Sequence, residues 1–140
     1  MFVEGPYGIM TGARRTRRRV TLIAGGIGIA PIRALLESMA ANPGDLTLLY
    51  RASGPEDLVF RAELDLLAAH RGATVHYLVG RRRDLPSDPL SPAAIRSLVP
   101  DIAEQDVYLC GPTGMMQAVE AGLRDLGVPK GRMHAERFAY

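Results

Sequence analysis

The chain has 140 residues, of which 47% are hydrophobic and 23% are charged, and its formal net charge is +2. These proportions are close to the average of globular proteins and predict one domain with a single core, while the charge is too small to identify a partner. The single cysteine, Cys110, excludes an intramolecular disulfide, an iron–sulfur cluster and a Cys-rich zinc site.

Short aliphatic runs alternate with longer segments of helical pattern along the chain, which predicts a parallel sheet covered by helices on both faces. The predicted strands are Val20–Ala24, Leu46–Tyr50, Thr74–Val79, Asp106–Cys110 and Arg132–Glu136. The predicted helices are Pro31–Ala41, Glu56–His70, Pro92–Leu98 and Gly114–Leu126. The segment Gly80–Pro89 is expected to be an irregular loop.

Residues at the helix ends agree with this division of the chain. Pro31 and Pro92 suit a first helical turn, where a missing N–H costs little. Ser91 and Thr113 are expected to be N-caps, and Gly127 is expected to cap the last helix at its carboxyl end.

Five strand–helix units connected by right-handed crossovers predict a doubly wound α/β fold with strand order 3-2-1-4-5. In that order the carboxyl ends of the first and fourth strands are neighbours, at the topological switch point where open α/β sheets bind ligands. The first strand ends in "GGIG" (25–28) and the fourth in "CGPTG" (110–114), so two glycine turns are expected to meet at one crevice.

A glycine turn between a strand and a helix presents backbone N–H groups and the positive end of the helix dipole, and no Cβ keeps an anion away. Two such turns favour a nucleotide diphosphate over the alternative that the glycines only make tight turns. Gly26, Gly28 and Pro31 form G-x-G-x-x-P, which departs from the usual dinucleotide fingerprint and disfavours a standard Rossmann dehydrogenase.

Five short motifs in order resemble the nicotinamide-nucleotide domain of the ferredoxin reductase superfamily, particularly that of ferric reductase and NADPH oxidase type flavocytochromes. The motifs are "GPYG" (5–8), "AGGIGIAP" (24–31), "LLYRA" (48–52), "YLCGP" (108–112) and "HAERFAY" (134–140). The resemblance implies a dinucleotide that lies across the carboxyl edge of the sheet and passes hydride to FAD on a preceding β-barrel domain. No flavin-binding motif is found in the chain, so residues 1–19 are expected to be the end of a missing flavin domain and a connecting segment, and residues 20–140 the dinucleotide-binding domain.

The resemblance also implies roles for particular residues. Those expected at the pyrophosphate turn are Gly25, Gly26, Gly28, Ile29 and Pro31, where Ile29 occupies a position at which the family often has a residue with a hydroxyl group or a valine. Those expected beside the nicotinamide are Cys110, Gly111, Pro112 and Glu136, with Phe138 and Tyr140 as aromatic residues near the flavin. Cys110, Glu136 and Phe138 are the expected catalytic residues, in the sense that they orient rings and exclude water, since hydride transfer needs little acid–base help.

The choice of dinucleotide is predicted from the end of the second strand. An NAD-specific site usually has an acidic residue there, whereas this strand continues into Arg51 and Ser53, which suit a 2′-phosphate. Arg81 and Arg82, after the third strand, would add positive charge near the same place. These residues predict NADPH, with NAD as the alternative.

The leading hypothesis is therefore an NADPH-binding domain of a flavin-dependent oxidoreductase whose FAD passes single electrons to a haem, an iron–sulfur protein or ferric iron. The expected partners are an FAD-binding domain and a haem-containing membrane domain. The alternatives are an NADH-dependent reductase component of an oxygenase and a non-catalytic nucleotide-responsive module.

No metal is expected, since His70, His76 and His134 have no ligand spacing. The arginine-rich run 13–19 is interpreted as solvated surface, and no nucleic-acid partner is expected because no aromatic residues interleave with the arginines. Without a signal peptide or a long apolar stretch, the chain is expected to be cytoplasmic or to lie on the cytosolic face of a membrane protein.

Overall fold

The computed structural model describes residues 15–138, with side chains through Glu136, and shows a five-stranded parallel sheet of order 3-2-1-4-5. The strands are β1 (Val20–Gly25), β2 (Leu46–Ala52), β3 (Thr74–Val79), β4 (Asp106–Pro112) and β5 (Met133–Phe138). The helices are α1 (Ile29–Ser38), α2 (Arg61–Arg71), α3 (Pro92–Leu98) and α4 (Thr113–Asp125). The predicted fold class and strand order are therefore confirmed. Expectations for residues 1–14 and for Tyr140, including the "GPYG" turn, lie outside the described residues.

Two hydrophobic layers cover the sheet because successive side chains of a strand point to opposite faces. Helices α1 and α2 pack on one face, against a layer that includes Leu22, Leu48 and Tyr108. Helices α3 and α4 pack on the other, against a layer that includes the next residue of each strand, Ile23, Leu49 and Leu109. The central strands β1 and β4 are buried on both faces, which fixes their position in the middle of the sheet.

Most element boundaries differ from the predicted ones at the edge where the site lies. Strands β1, β2 and β4 continue one or two residues further than expected, because pairing with their neighbours extends to Gly25, Ala52 and Pro112. Helix α1 starts two residues before Pro31, which therefore stays within the first turn. Strand β5, which was predicted at roughly residues 132 to 136, starts one residue later, at Met133, and ends two residues later, at Phe138.

The predicted start of the second helix at Glu56 is wrong. Pro55–Asp57 instead form a short 3-10 turn, and Phe60 takes the left-handed conformation (φ 66°) immediately before α2 begins at Arg61. Thr113 is also not an N-cap, because it is the first residue of α4 and Pro112 occupies the cap position. Ser91 does cap α3, where its Oγ accepts a bond from the backbone N–H of Ala94 at 3.2 Å, and Gly127 follows α4 with a positive φ of 95°.

The amino-terminal edge of the sheet is closed around the buried carboxylate of Asp106. This side chain accepts hydrogen bonds from the backbone N–H groups of Thr16 (2.6 Å) and Arg17 (2.5 Å), and His134 Nε2 lies 3.2 Å from it. Burial raises its pKa, but the bonds from Arg17, Thr16 and His134 outweigh burial and lower the pKa of Asp106 overall. The segment that leads into β1 is thus tied to β4 and β5 at the edge opposite the glycine turns.

Candidate functional site

The two glycine turns meet as the strand order requires. Ala24 pairs with Cys110 across β1 and β4, so the residues that follow each strand lie side by side. A Cβ added at Gly28 would come under 3.0 Å from the carbonyl carbon and oxygen of Cys110 and 2.8 Å from the nitrogen of Gly111. Only glycine permits this approach, because all three of these atoms belong to backbone.

A cleft of about 740 Å³ opens over these turns at the carboxyl edge of the sheet. One wall comes from the turn after β1 and the start of α1, with Gly25, Gly26, Ile27, Ile29 and Ala30. A second comes from the end of β2 and the segment after it, with Arg51, Ala52, Ser53, Glu56, Asp57, Val59 and Phe60. Pro112 and Met115 close the side beside β4. The cleft is therefore at the switch point, where an elongated ligand would cross from β2 to β4.

Six residues expected at the cofactor line this cleft: Gly25, Gly26, Ile29, Arg51, Ser53 and Pro112. Three others lie directly behind its lining. Gly28 packs against β4, Pro31 lies in the first turn of α1, and Gly111 approaches Gly25, since a Cβ at Gly111 would be 3.2 Å from the Gly25 oxygen. Helix α1 begins at Ile29, directly after the first glycine turn, and the first turn of a helix has backbone N–H groups without intrahelical partners, which suit an anion.

Arg51 lies in the cleft, but part of its guanidinium is used by the protein. Its Nη1 atom donates to the carbonyl oxygens of Ala52 (2.5 Å) and Leu78 (3.1 Å). Arg81 and Arg82 follow β3, the edge strand, and neither lines the cleft. The structure therefore brings one of the three predicted arginines to the site.

Cys110 is fully buried at the end of β4, beside Glu136 of β5. Burial, and to a lesser extent the charge of Glu136, raises the pKa of this thiol to about 12, so it is protonated and a poor nucleophile at neutral pH. The side chain packs behind the cleft and does not line it.

Glu136 is 6% exposed, and burial raises its pKa. Among the described residues its Oε1 atom has no hydrogen-bond partner. A buried polar atom of this kind costs free energy unless a ligand or another domain provides a partner. Phe138 is the last residue of β5 and pairs with Pro112, which places its backbone at the same edge of the sheet.

Sequence reasoning missed eight residues that line the cleft: Ile27, Ala30, Ala52, Glu56, Asp57, Val59, Phe60 and Met115. Four of them, Glu56, Asp57, Val59 and Phe60, lie in the segment that was predicted to be one helix, and the interruption of that segment brings them to the cleft. Phe60 is 38% exposed, and the guanidinium carbon of Arg33 lies 5.5 Å from its ring centroid. No group of three or more His, Cys, Asp or Glu residues within 15–138 is arranged to hold a metal ion, and no helix in this range is long and apolar enough to cross a membrane.

Comparison with known proteins gives a family match over most of the chain. A family model described as "Oxidoreductase NAD-binding domain" matches residues 22–121. NADH-cytochrome b5 reductase 1 of Meyerozyma guilliermondii is 34% identical, over 93% of this chain and 49% of its own length. The toluate 1,2-dioxygenase electron transfer component of Pseudomonas putida is 32% identical, over 98% of this chain and 42% of its own length.

Among solved structures, the flavohem-like FAD/NAD binding domain of nitric oxide dioxygenase from Vibrio cholerae matches with a TM-score of 0.70 and 31% identity. The match covers 89% of this chain and 53% of that one. The chain thus spans about half the length of these relatives, and the relatives named here are not ferric reductases or NADPH oxidases.

Proposed function

The chain belongs to the oxidoreductase NAD-binding domain family, and on that premise we propose that it is the NAD-binding half of a flavin-dependent reductase. In this proposal it binds a nicotinamide dinucleotide and presents the ring to FAD held by a separate domain. The cleft over two adjoining glycine turns is the observation that carries the proposal. Its support is chemical, because side-chain-free backbone beside a helix N-terminus suits a diphosphate.

The direction of the dinucleotide follows from the two ends of the cleft. The end beside β2 has carboxylates from Glu56 and Asp57 and the ring of Phe60, which suit ribose hydroxyls and a planar base. The end beside β4 has Pro112 and Met115, with Cys110 and Glu136 behind it. We therefore assign the adenosine to the β2 end and the nicotinamide to the β4 end.

We further propose NADH as the preferred donor, where the sequence predicted NADPH. The carboxylates of Glu56 and Asp57 line the end where a 2′-phosphate would lie, and they would repel it while accepting bonds from free ribose hydroxyls. Arg51, the cation there, already donates from Nη1 to two carbonyl oxygens. The Meyerozyma relative is also named as an NADH-dependent enzyme, NADH-cytochrome b5 reductase 1.

The bound nicotinamide supplies a hydride, and the residues of this chain place it and keep water away. Protonated Cys110, which packs behind the cleft lining, keeps the sheet edge under the ring uncharged and close-packed. Glu136, whose pKa is raised by burial, has an oxygen without a partner among the described residues and is available to accept a bond from the carboxamide. These contacts orient the ring, which is the main requirement of hydride transfer.

The acceptor that follows the flavin is proposed to be a protein that takes single electrons. Two of the relatives described above are named as a cytochrome b5 reductase and as the electron transfer component of a dioxygenase. An oxygenase is the second candidate acceptor, because the electron transfer component of toluate 1,2-dioxygenase matches 98% of this chain. A membrane haem domain and ferric iron are supported only by the sequence motifs.

The first experiment titrates the 140-residue chain with NADH, NADPH and ADP-ribose by calorimetry. We expect saturable binding of all three, with NADH about tenfold tighter than NADPH. Glu56→Gln and Asp57→Asn should each narrow that ratio, whereas the matched control Asp65→Asn, on α2 and outside the cleft, should not. Arg51→Ala or Arg82→Ala would weaken NADPH selectively if the sequence prediction is right, and no binding of any nucleotide would refute the proposal.

The second experiment tests hydride transfer. The chain replaces the NAD-binding half of the Vibrio cholerae FAD/NAD module, whose fold it shares. When the chimaera retains FAD and binds ADP-ribose, we expect NADH to bleach the flavin absorbance anaerobically. A chimaera that passes both checks and leaves the flavin oxidised would contradict the assignment.

A further inference from the structure

The side chain of Met115 lies across both glycine turns. A Cβ added at Gly25 would be 3.0 Å from the Met115 methyl carbon, and one added at Gly111 would be 2.9 Å from the same carbon. The thioether therefore occupies the side-chain-free space between β1 and β4. Met115 is also one of the residues that line the cleft, on the side of Pro112.

This position is at the nicotinamide end of the cleft as assigned above. Glu56, Asp57 and Phe60 mark the opposite end, beside β2, while Met115 and Pro112 lie beside β4. A dinucleotide that rests its diphosphate on the first glycine turn and extends toward β4 would meet the Met115 side chain before its ring reached the sheet edge. The ring and the thioether compete for the same space.

The side chain of Met115 can change its conformation, whereas that of the neighbouring Met116 cannot. Met115 is only partly buried and packs at the margin of the second hydrophobic layer, whereas Met116 is fully buried within that layer. A methionine side chain is unbranched and turns about three bonds, so it can leave one position for another at low cost. The backbone of Gly25 and Gly111 has no such freedom, because Gly25 pairs with Arg51 of β2 and Gly111 pairs with Arg137 of β5.

We propose that Met115 is a positioning residue that closes the nicotinamide end of the cleft and is displaced when the ring enters. The inference rests on the proposed function, since it concerns how the dinucleotide is held. Its consequence is that the adenosine and diphosphate provide the affinity, while the ring enters only by moving the thioether. A fragment without the nicotinamide should bind without moving Met115.

The test uses two substitutions that should act in opposite directions. Met115→Ala removes the thioether from the nicotinamide end and should increase the affinity for NAD⁺ about fivefold. Met115→Ile introduces a β-branched side chain that is stiff at χ1 and should decrease the affinity for NAD⁺ by a similar factor. Neither should change the affinity for ADP-ribose by more than about twofold. Met133 is a partly buried methionine at the amino end of β5, and Met133→Leu is the matched control. It should change the affinity for neither ligand.

A second measurement follows the methyl group itself. In the chain labelled at methionine methyl carbons, the resonance that Met115→Ala removes should shift with NAD⁺ and stay in place with ADP-ribose. Equal changes in both affinities, unchanged NAD⁺ affinity in both variants, or a methyl resonance that NAD⁺ does not move would each overturn the proposal. If the wild-type chain binds neither ligand, the proposed function itself fails, which is a different result.

Discussion

The close approach of Gly28 to the end of β4 makes a sharp prediction for Gly28→Ala. The new methyl group would lie under 3.0 Å from the carbonyl carbon and oxygen of Cys110, and 2.8 Å from the nitrogen of Gly111. Because these atoms are backbone within a paired strand, no side-chain rotation relieves the contact, and the turn or the strand end must move.

Overpacking in a well-packed core costs about 1–3 kcal/mol, and a collision with backbone belongs at the upper end of that range. We therefore expect Gly28→Ala to lower the free energy of unfolding by about 3 kcal/mol, which corresponds to about 10 °C in the melting temperature of a domain of this size. Nucleotide affinity should fall as well, since the same shift separates the two turns.

Two other glycines provide controls in the same fold. At Gly114, in the first turn of α4, an added Cβ meets nothing within 4 Å, so Gly114→Ala should be neutral or stabilise by up to about 1 kcal/mol. Gly26 has a φ of 57° and open space around it, so Gly26→Ala should cost about 1 kcal/mol through backbone strain alone. The assay is urea unfolding followed by circular dichroism. If Gly28→Ala unfolds within 0.5 kcal/mol of the wild type, a threshold of the order expected for surface substitutions, the reasoning about the two turns is wrong.

Three further predictions concern other parts of the fold. Asp106→Asn should lower the free energy of unfolding by about 2–3 kcal/mol at pH 7. Because the pKa of Asp106 is lowered in the fold, the stability that this carboxylate contributes is present above its unfolded pKa and is lost as the pH falls through its folded pKa. The free energy of unfolding of the variant should therefore fall less steeply at acid pH than that of the wild type. Cys110, whose pKa is raised to about 12, should react with iodoacetamide at pH 8 at least about a hundredfold more slowly in the native chain than in urea, and equal rates by mass spectrometry would contradict its burial. Arg33→Ala removes the cation over the Phe60 ring and the 2.6 Å ion pair with Glu63. It should decrease the affinity for ADP-ribose about threefold, as measured by calorimetry, and change the free energy of unfolding by less than about 1 kcal/mol. An unaltered affinity for ADP-ribose would show that Phe60 is not part of the adenosine end.

The sheet could be predicted from the sequence because its signals are local. Each strand is a short aliphatic run, and the right-handed crossover rule leaves few orders for five of them. The convergence of "GGIG" and "CGPTG" then followed from the order 3-2-1-4-5 alone. Their exact spacing did not, because it depends on how far pairing continues past Ala24 and Cys110.

The side chains of the cleft were harder to predict because their roles depend on backbone conformation. Glu56 and Asp57 fit the first turn of a helix equally well, and nothing in the sequence signals that Phe60 takes a left-handed conformation that few residues of its kind adopt. Met115 follows the second glycine turn at a position that suits the helix core as well as the cleft, and only the structure separates it from Met116.

Contacts between distant parts of the chain could not be predicted either, because they too depend on the folded backbone. Asp106 was predicted only as the first residue of a strand, yet it accepts bonds from Thr16 and Arg17, about ninety positions earlier. Arg81 and Arg82 were expected at the cofactor because the third strand was expected to flank it. The strand has the edge position that the predicted order requires, but the cleft ends at β2 and the segment after it, so the arginines after β3 do not line it.

Amide spectra of the ¹⁵N-labelled chain during titration with NAD⁺ test the central idea most directly. A diphosphate held by the first glycine turn should shift the amide resonances of Gly26, Ile27 and Gly28 and saturate them with one dissociation constant. Saturating shifts confined to the opposite edge of the sheet, around Asp45 and Asp101, with those three amides unchanged, would show that the dinucleotide binds somewhere else.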